Sequence, residues 1–316
     1  MTSAERKVSV IVPVFEDGAR ALDAALALHA QRVSGATLEV VIVDDGSRER
    51  TVRELDALPD DTSIRVVRLA QNAGRSAARN RGAEEAQGDV LVFMDCDCLP
   101  ADAHFVQRHL DAIDAGHVAT CGDVKGFDDA FWSRYQAQAS VRRRHAFAAG
   151  RHYAGTSQNL AVRRATFFAA GEFDSAYRQY GFEDRDLLIR MGRLGTIGWV
   201  EDACVIHRDI LSLPSVFRKL REAGRFGAAR FHLAYPDAYR ALGYGRIDAS
   251  GRFLRRSVAI LAGRLAEMAA PWLDRLATSG VLPFPVAAMI VKLGSAASFA
   301  RGTAEATGET LRRPLV

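Results

Sequence analysis

The sequence lacks the paired cysteines that a structural zinc site or a disulfide framework requires. Its four cysteines are Cys96, Cys98, Cys121 and Cys204. Their spacing is irregular and includes no C-x-x-C pair, which is typical of a protein in a reducing cytoplasm. The first apolar run, residues 8–15, is followed at once by charge and lacks the longer apolar region and cleavage site of a secretory signal. We therefore expect a cytoplasmic protein.

The sequence has no long apolar run and little excess positive charge, which argues against a membrane-spanning protein and against a nucleic-acid-binding one. No apolar run approaches the ~20 residues that cross a bilayer, and the longest candidate, residues 281–291, contains Pro283 and Pro285. An integral membrane protein is therefore not expected. The net charge is only +4, and four of the 42 basic residues are lysines. This small excess of positive charge does not indicate a nucleic-acid partner.

Both common glycine-rich phosphate loops are also missing. The chain has no G-x-x-x-x-G-K-[ST], and no G-x-G-x-x-G follows the first apolar strand. A bound nucleotide would therefore need a metal ion and arginine side chains to neutralise its phosphates.

The stretch of residues 89–100 is the one around which the chain is organised. The five apolar residues Val90–Met94 predict a strand buried on both faces, and the strand leads into two carboxylates, Asp95 and Asp97. Ligands bind at the carboxyl edge of an open α/β sheet, and hard oxygen ligands there suit Mg²⁺ or Mn²⁺. Taken alone, the stretch fits a strand-end turn equally well, because Asp is common in turns.

Strands and helices alternate before this stretch. The predicted strands are residues 7–13, 38–43 and 64–69, and the predicted helices are residues 19–30, 49–58 and 76–86. This alternation predicts an α/β fold with a parallel, doubly wound sheet. Distinctive residues follow each strand, namely Phe15, Asp17, Asp44, Asp45 and residues 72–75. These loops share one edge of the sheet, where a nucleotide would fit.

The last third has helical character. Residues 253–270 predict an amphipathic helix that stops near Pro271, and residues 286–300 predict another. Such helices pack on a catalytic domain, form a homodimer contact, or hold the protein at the inner membrane surface near a lipid-linked acceptor. The sequence leaves these alternatives open.

Eight short stretches follow one another in the order and spacing of a known family. They are residues 9–15 (SVIVPVF), 41–47 (VIVDDGS), 72–82 (NAGRSAARNRG), 93–97 (FMDCD), 158–164 (QNLAVRR), 171–174 (GEFD), 181–190 (GFEDRDLLIR) and 205–207 (VIH). Together they resemble the family 2 glycosyltransferases, which are inverting nucleotide-sugar transferases of the GT-A fold. The resemblance covers about the first two thirds of the chain.

The resemblance implies a Rossmann-like, nucleotide-binding mixed sheet flanked by helices, with a C-terminal helical extension. The catalytic domain would be residues 1–209, with a nucleotide-binding half at about 1–100 and an acceptor half at about 101–209. Residues 210–316 would form the C-terminal helical region.

The resemblance also assigns roles to matching residues on the donor side. Pro13 and Phe15 would border the nucleobase, and Asp45 would accept a hydrogen bond from it. Arg75 would lie near the nucleotide, and Asp95 would face the ribose and the sugar.

Three matching residues would carry the chemistry. Asp97 would be the principal ligand of a divalent Mn²⁺ or Mg²⁺, and His207 stands where some GT-A enzymes place a further metal ligand. Asp184, beside Glu183, would be the general base, since inversion needs a carboxylate on the acceptor side. Without the resemblance, His207 is a histidine in a packed strand end, and the acidic pair is a helix start where carboxylates offset the dipole.

Residues near the acceptor are less specific. Glu183, Gln158 and Asn159 are candidates for contacts to sugar or acceptor hydroxyls, and the last two would equally serve to fix the loop after Gly155.

The resulting hypothesis is an inverting, metal-dependent glycosyltransferase that moves one sugar from a nucleotide-diphosphate sugar to an acceptor hydroxyl. UDP is the commonest donor nucleotide of the resembled family, and the acceptor would be a glycan, a lipid-linked or a small molecule in glycan, glycolipid or polysaccharide biosynthesis. The Q-x-x-R-W signature of processive synthases is absent, which predicts transfer of single sugars.

Two alternatives remain. A sugar nucleotidyltransferase would carry a glycine-rich loop where this chain has residues 13–17 (PVFED). A catalytically silent GT-A module that binds a glycan or a protein would be expected to have lost Asp97 or Asp184, and both are present.

Overall fold

The computed structural model describes residues 6–58, 63–251 and 253–306, which divide into two units. The first unit takes in the chain up to Asp129, together with Gln136–Arg178 and Asp184–Asp209. The second takes in Ala130–Tyr135, Gln179–Glu183 and the chain from Ile210 onward. The domains expected at 1–209 and 210–316 stay a prediction, and their residues 1–5, 59–62, 252 and 307–316 lie outside the described residues.

The first unit contains a mixed eight-stranded sheet. Its strands are β1 (Arg6–Val14), β2 (Ala36–Asp44), β3 (Ile64–Arg68), β4 (Val90–Met94), β5 (Cys98–Pro100), β6 (Ala119–Gly126), β7 (Asn159–Arg163) and β8 (Ile197–His207). They lie in the order β3-β2-β1-β4-β7-β6-β8-β5. Strands β1 to β4 pair in parallel, whereas β7 runs antiparallel to both of its neighbours. The predicted α/β class is confirmed, but the sheet is mixed rather than wholly parallel, since β6 and β8 also pair in parallel while β5 runs antiparallel to β8.

Helices cover both faces of this sheet. They are α1 (Gly18–His29), α2 (Glu49–Leu55), α3 (Arg75–Glu85), α4 (Phe105–Asp114), α5 (Phe131–Ala148), α6 (Arg164–Ala169) and α7 (Glu183–Gly192), of which α5 and α7 begin with residues of the second unit. Strand β4 shows how the two faces are filled. Val90, Val92 and Met94 belong to the core cluster that includes α1 and α4, while Leu91 and Phe93 belong to the cluster that includes α3 and α7. Alternate residues point to opposite faces, so β4 is buried on both sides as predicted.

The second unit is helical. After α8 (Leu213–Glu222) and a π-helical turn (Ala223–Gly227) come α9 (Ala228–Ala234), α10 (Pro236–Ala241), α11 (Tyr244–Ile247), α12 (Phe253–Thr278) and α13 (Phe284–Glu305). Among the described residues, no helix combines the length and the apolar composition needed to cross a membrane.

The predicted end of α12 near Pro271 was wrong, because the helix continues to Thr278. A proline inside a helix removes one backbone hydrogen bond. Packing on both sides of Pro271 offsets that loss, since Ala270 and Leu273 belong to one hydrophobic cluster with Leu213 and Phe217.

Candidate active site

The loops after β1, β2 and β3 meet at the carboxyl edge of the sheet. Asp45, the residue after β2, donates its backbone N–H to the carbonyl of Val14 at 2.9 Å. Its carboxylate accepts the backbone N–H groups of Ala73 at 2.8 Å and Gly74 at 3.0 Å. Asp45 therefore ties the loop that follows β3 to the end of β2, and helix α3 begins directly after that loop.

Asp45 is 4% exposed. Burial raises the pKa of its carboxyl group above the ordinary value, and the hydrogen bonds from Ala73 and Gly74 oppose that rise. Each oxygen keeps a second lone pair for another donor. Nearby, Pro13 is half-buried within β1, and the ring of Phe15 just beyond the strand is 49% exposed. The contacts of these three residues with a nucleobase stay a prediction.

Asp95 is held by a buried arginine that sequence reasoning did not single out. Arg79 on α3 is 2% exposed, and its Nη2 donates to Asp95 Oδ1 at 2.7 Å. The guanidinium lies 5.3 Å from the ring centre of Phe173. Arg79 follows Arg75 by four residues on the same helix, so both project from one face. Arg79 could have been recognised in the sequence as the second arginine of the N-A-G-R-S-A-A-R-N stretch.

Three side chains that could ligate a metal ion come together at the ends of β4 and β8. Ligand atoms of Asp97, His207 and Asp209 all lie within 4.8 Å of one another. His207 Nε2 is 3.3 Å from Asp97 Oδ2, and Asp209 Oδ1 is 3.5 Å from Arg20 Nη1. The pairing of β5 with β8 places Cys98 opposite His207, which brings the two halves of the group together. Sequence reasoning missed Asp209, although the H-x-D pattern at residues 207–209 could have indicated it.

Asp97 is ionised at neutral pH. Burial raises the pKa of this carboxyl group, but the hydrogen bond and charge of His207, followed by Cys98 and Arg75, outweigh burial and leave the pKa below its ordinary value. The neighbouring thiols behave in the opposite way. Burial, then the charges of Asp97 and Asp95, raise the pKa of Cys96 and of Cys98 well above the ordinary value for a thiol. The cysteines therefore stay protonated, and the available ligands are oxygen and imidazole nitrogen, a set that suits Mn²⁺ or Mg²⁺.

The surroundings of His207 also fit a metal ligand. Gln136 on α5 approaches His207 Nδ1 with its Nε2 at 2.9 Å, while Gln136 Oε1 is buried without a hydrogen-bond partner among the described residues. A metal at Nε2 requires the imidazole proton on Nδ1. Amide nitrogen and oxygen exchange by a half turn, so Gln136 can present Oε1 as the acceptor for that proton. The amide would then fix the tautomer that binds metal.

Replacing Gln136 with leucine is expected to weaken Mn²⁺ binding by about 10–100-fold, the usual effect of losing a group that orients a metal-binding histidine. Titration calorimetry of Mn²⁺ into the protein without nucleotide measures this. Gln138→Leu is the matched control, since Gln138 is on the same helix but exposed. Equal Mn²⁺ affinity in the two variants would contradict the role of Gln136.

Glu183 and Asp184 form the first turn of α7, and their side chains differ in exposure. Glu183 is 6% exposed, and its Oε2 accepts the backbone N–H of Gly181 at 3.0 Å. Asp184 is half-buried, and its Oδ1 accepts the hydroxyl of Ser157 at 2.5 Å. Within the described residues, no hydrogen bond or ion pair links Asp184 to Asp97. The structure thus contains two separate acidic groups.

The backbone before this pair has a constrained shape. Phe182 has a φ of 75°, a conformation that residues other than glycine rarely adopt. Within the second unit its ring stacks on Phe231 with centres 4.8 Å apart and meets the edge of Tyr244 at 5.0 Å. Ring packing therefore maintains the strained conformation that sets the direction of the chain into Glu183.

Asn159 lies inside the first unit rather than at its surface. It is 0% exposed, and its Nδ2 donates to the carbonyls of Ala203 at 2.7 Å and Asp123 at 2.9 Å. Its Oδ1 is 2.8 Å from Nε2 of His109. Burial lowers the pKa of His109 to about 4. The neutral His109 therefore donates from Nε2 to Asn159. These hydrogen bonds match the alternative in which Asn159 fixes the loop. A sugar contact of Asn159, or of the half-buried Gln158, stays a prediction.

Asn159→Leu is expected to lower the free energy of unfolding, since each buried polar group left unpaired costs about 1–3 kcal/mol and three groups lose their partner. Urea denaturation measures the loss. Gln158→Leu, at the adjacent half-buried position, should change stability by less than about 0.5 kcal/mol. If Asn159→Leu left stability unchanged but weakened acceptor binding, the structural role of Asn159 would be wrong.

Comparison with known proteins places these features in a family. Residues 9–179, more than half of the chain, match the model of glycosyl transferase family 2. The chain is 33% identical over 132 residues to the dolichol-phosphate mannosyltransferase of Pyrococcus furiosus, which covers 41% of this chain and 37% of that protein. It is 30% identical over 176 residues to the undecaprenyl-phosphate 4-deoxy-4-formamido-L-arabinose transferase of Pseudomonas paraeruginosa, which covers 55% of this chain and 46% of that protein. The chain thus spans less than half the length of these curated relatives.

A solved structure extends the likeness to nearly the whole chain. A mannosyltransferase from Pyrobaculum calidifontis, in complex with GDP-Man and Mn²⁺, matches with a TM-score of 0.60 and 16% identity. The match covers 95% of this chain and 88% of that one. The predicted GT-A fold with C-terminal helices is confirmed.

Proposed function

We propose, since this chain belongs to glycosyl transferase family 2, that it transfers one sugar from a nucleotide-diphosphate sugar to an acceptor hydroxyl, with inversion at the anomeric carbon. The observation that carries the proposal is the pair of separate acidic groups, one around Asp97 and one at Asp184. Inversion by direct displacement uses two such groups, because the acceptor hydroxyl attacks one face of the anomeric carbon while the diphosphate departs from the opposite face.

On the donor side, the residues of the sheet edge would hold the nucleotide. Asp45 and the exposed ring of Phe15 would contact the base, Arg75 would offset phosphate charge, and Asp95 would accept hydrogen bonds from ribose and sugar hydroxyls. A divalent Mn²⁺ or Mg²⁺ held by Asp97, His207 and Asp209 would neutralise the charge that develops on the diphosphate.

On the acceptor side, Asp184 would be the general base. Ser157 donates to Oδ1 of Asp184, so Oδ2 is the oxygen left for the acceptor hydroxyl. As the acceptor oxygen bonds to the anomeric carbon and the bond to the diphosphate breaks, the hydroxyl proton passes to Asp184. A positioned base of this kind contributes about 10²–10⁴-fold to the rate.

Two acceptor classes follow from different observations. A positioned carboxylate is useful to a hydroxyl acceptor, whereas an already ionised phosphate has no proton to lose, so Asp184 favours a hydroxyl on a glycan or lipid-linked glycan. The names of two relatives, which refer to dolichol phosphate and undecaprenyl phosphate, support a polyprenyl phosphate as the second candidate. With either lipid-linked acceptor the enzyme would act in the cytoplasm, at the inner face of the membrane.

The proposal is tested by incubating the protein with UDP-, GDP- and dTDP-sugars and with each acceptor class, in Mn²⁺ and in EDTA. We expect metal-dependent transfer from one donor, and a product whose anomeric configuration, read by NMR, is opposite to that of the donor. Retention of configuration would contradict inversion. Transfer to undecaprenyl phosphate alone would favour the second acceptor.

A further inference from the structure

Helix α12 exposes a continuous stripe of large apolar side chains. Six residues are between 56% and 79% exposed: Leu254, Val258, Leu261, Leu265, Met268 and Trp272. Their spacing alternates between four and three residues, which keeps all six on one side of the helix. At a rise of 1.5 Å per residue, the stripe is roughly 27 Å long.

The opposite side of α12 is lined by small residues. The buried positions of the helix are Ala259, Gly263, Ala270 and Ala277. A Cβ at Gly263 would lie 2.5 Å from Cβ of Arg301 and 2.9 Å from the carbonyl of Ala297, so α12 and α13 approach closely there. A helix that served only to complete this unit would bury its large side chains and expose its small ones. In α12 the arrangement is reversed.

The exposed charges of α12 and α13 have a single sign. In the described residues 253–306, every exposed charged side chain is basic: Arg255, Arg256, Arg264, Arg275 and Lys292. The acidic residues of the two helices are half-buried and engaged elsewhere. Glu267 pairs with Arg301 at 2.7 Å, Asp274 accepts the backbone N–H of Leu213, and Glu305 pairs with Arg301.

We propose that this face of α12 binds the surface of an anionic lipid bilayer. An apolar stripe flanked by arginine is the pattern of helices that lie in the plane of a membrane interface, with the apolar side chains among the acyl chains and the arginines at the lipid phosphates. Trp272, with an apolar ring and an N–H donor, suits the boundary between the two. The occupant is therefore a membrane rather than a soluble partner.

Charge disfavours a second copy of the chain as the occupant. The four-three spacing is also that of a coiled-coil seam. Residues flanking such a seam normally pair opposite charges across it, whereas two copies of α12 would bring arginine against arginine. Phosphate headgroups, in contrast, complement the arginines.

The membrane contact deepens the proposed function. Only the choice of the cytoplasmic leaflet rests on that function, because a lipid-linked acceptor would be bound there. The lipid contact itself belongs to the C-terminal helices. It can therefore be measured without donor, acceptor or metal, so that its failure and a failure of glycosyl transfer are separate results.

The test is cosedimentation of the full chain with vesicles of equal parts phosphatidylglycerol and phosphatidylcholine, and with vesicles of phosphatidylcholine alone. We expect binding to the anionic vesicles that weakens at high salt. Each basic residue near the surface contributes roughly fivefold, so the triple variant Arg255→Gln, Arg264→Gln, Arg275→Gln should bind about 100-fold more weakly. Leu261→Asp with Leu265→Asp should abolish binding, because it places two carboxylates in the apolar stripe.

The matched control is Leu26→Asp with Leu194→Asp, which makes the same change at two leucines that are 43% and 47% exposed in the first unit. This variant should bind vesicles as the wild type does. Equal binding to neutral vesicles, or equal losses in both double variants, would overturn the proposal. Light scattering without lipid measures the oligomeric state. If the wild type were a dimer that bound no vesicles, and if Leu261→Asp with Leu265→Asp made it a monomer, the apolar face of α12 would contact a second copy of the chain and not a membrane.

Discussion

Replacing Asp184 with asparagine is expected to lower kcat by roughly 10²–10⁴-fold, the usual contribution of a positioned general base. Asparagine has nearly the same shape and can still accept the hydroxyl of Ser157, but it cannot take the proton of the acceptor. Metal-dependent nucleotide binding should not change, because the contacts of Asp184 are separate from the Asp97 group. Steady-state kinetics with saturating donor, together with a nucleotide titration of the same variant, measures both expectations.

Ser157→Ala provides the companion variant. It removes the hydrogen bond that orients Oδ1 of Asp184 but leaves the carboxylate, so kcat should fall by less than in Asp184→Asn. If Asp184→Asn kept kcat within about tenfold of the wild type, a different group would have to accept the proton.

Replacing Arg79 with methionine is expected to reduce the free energy of unfolding by about 3–5 kcal/mol, the cost of removing one partner from a buried ion pair. Arg79 is 2% exposed, and Asp95, which is 17% exposed, would lose the guanidinium that lies 2.7 Å from its Oδ1. The partial exposure of Asp95 places the expected loss toward the lower end of this range. Urea denaturation measures the change in stability.

The control for this prediction is on the same helix. Arg81 is 47% exposed and pairs with Glu84 and Glu85 at the surface. Exposed pairs contribute at most about 1 kcal/mol, so Arg81→Met should have a small effect. Similar losses in Arg79→Met and Arg81→Met would contradict the importance of the buried pair.

Local sequence patterns were enough to predict the N-terminal half of the fold. An uninterrupted apolar run predicted β4, and residues 90–94 are buried on both faces of the sheet. The clustering of loop residues at one edge followed from the parallel order of β1 to β4, and Asp45 does contact the loop after β3. In these cases the information lies within one strand and the turn that follows it.

The remaining features depend on contacts between distant parts of the chain. Asp209 joins Asp97 only because the short strand β5 pairs with the end of β8, which a three-residue strand does not reveal in sequence. For Asn159 the sequence left a sugar contact and a loop-fixing role equally open. Asn159 is buried because His109 and two backbone carbonyls on other elements satisfy its amide.

The exposed stripe of α12 is a further case. Amphipathic spacing predicts a helix but does not say which side faces the rest of the protein. The small residues of α12 pack close to α13, and this packing leaves the large residues outside. Only the structure shows that arrangement.

The most direct test of the account is titration calorimetry of UDP, GDP and dTDP into the wild type and into Asp97→Ala, each in Mn²⁺ and in EDTA. We expect one nucleotide to bind the wild type with Mn²⁺, and EDTA or Asp97→Ala to remove most of this binding. Nucleotide binding that is equally tight in EDTA and in Asp97→Ala would contradict the metal site, and absence of binding under every condition would contradict the transferase itself.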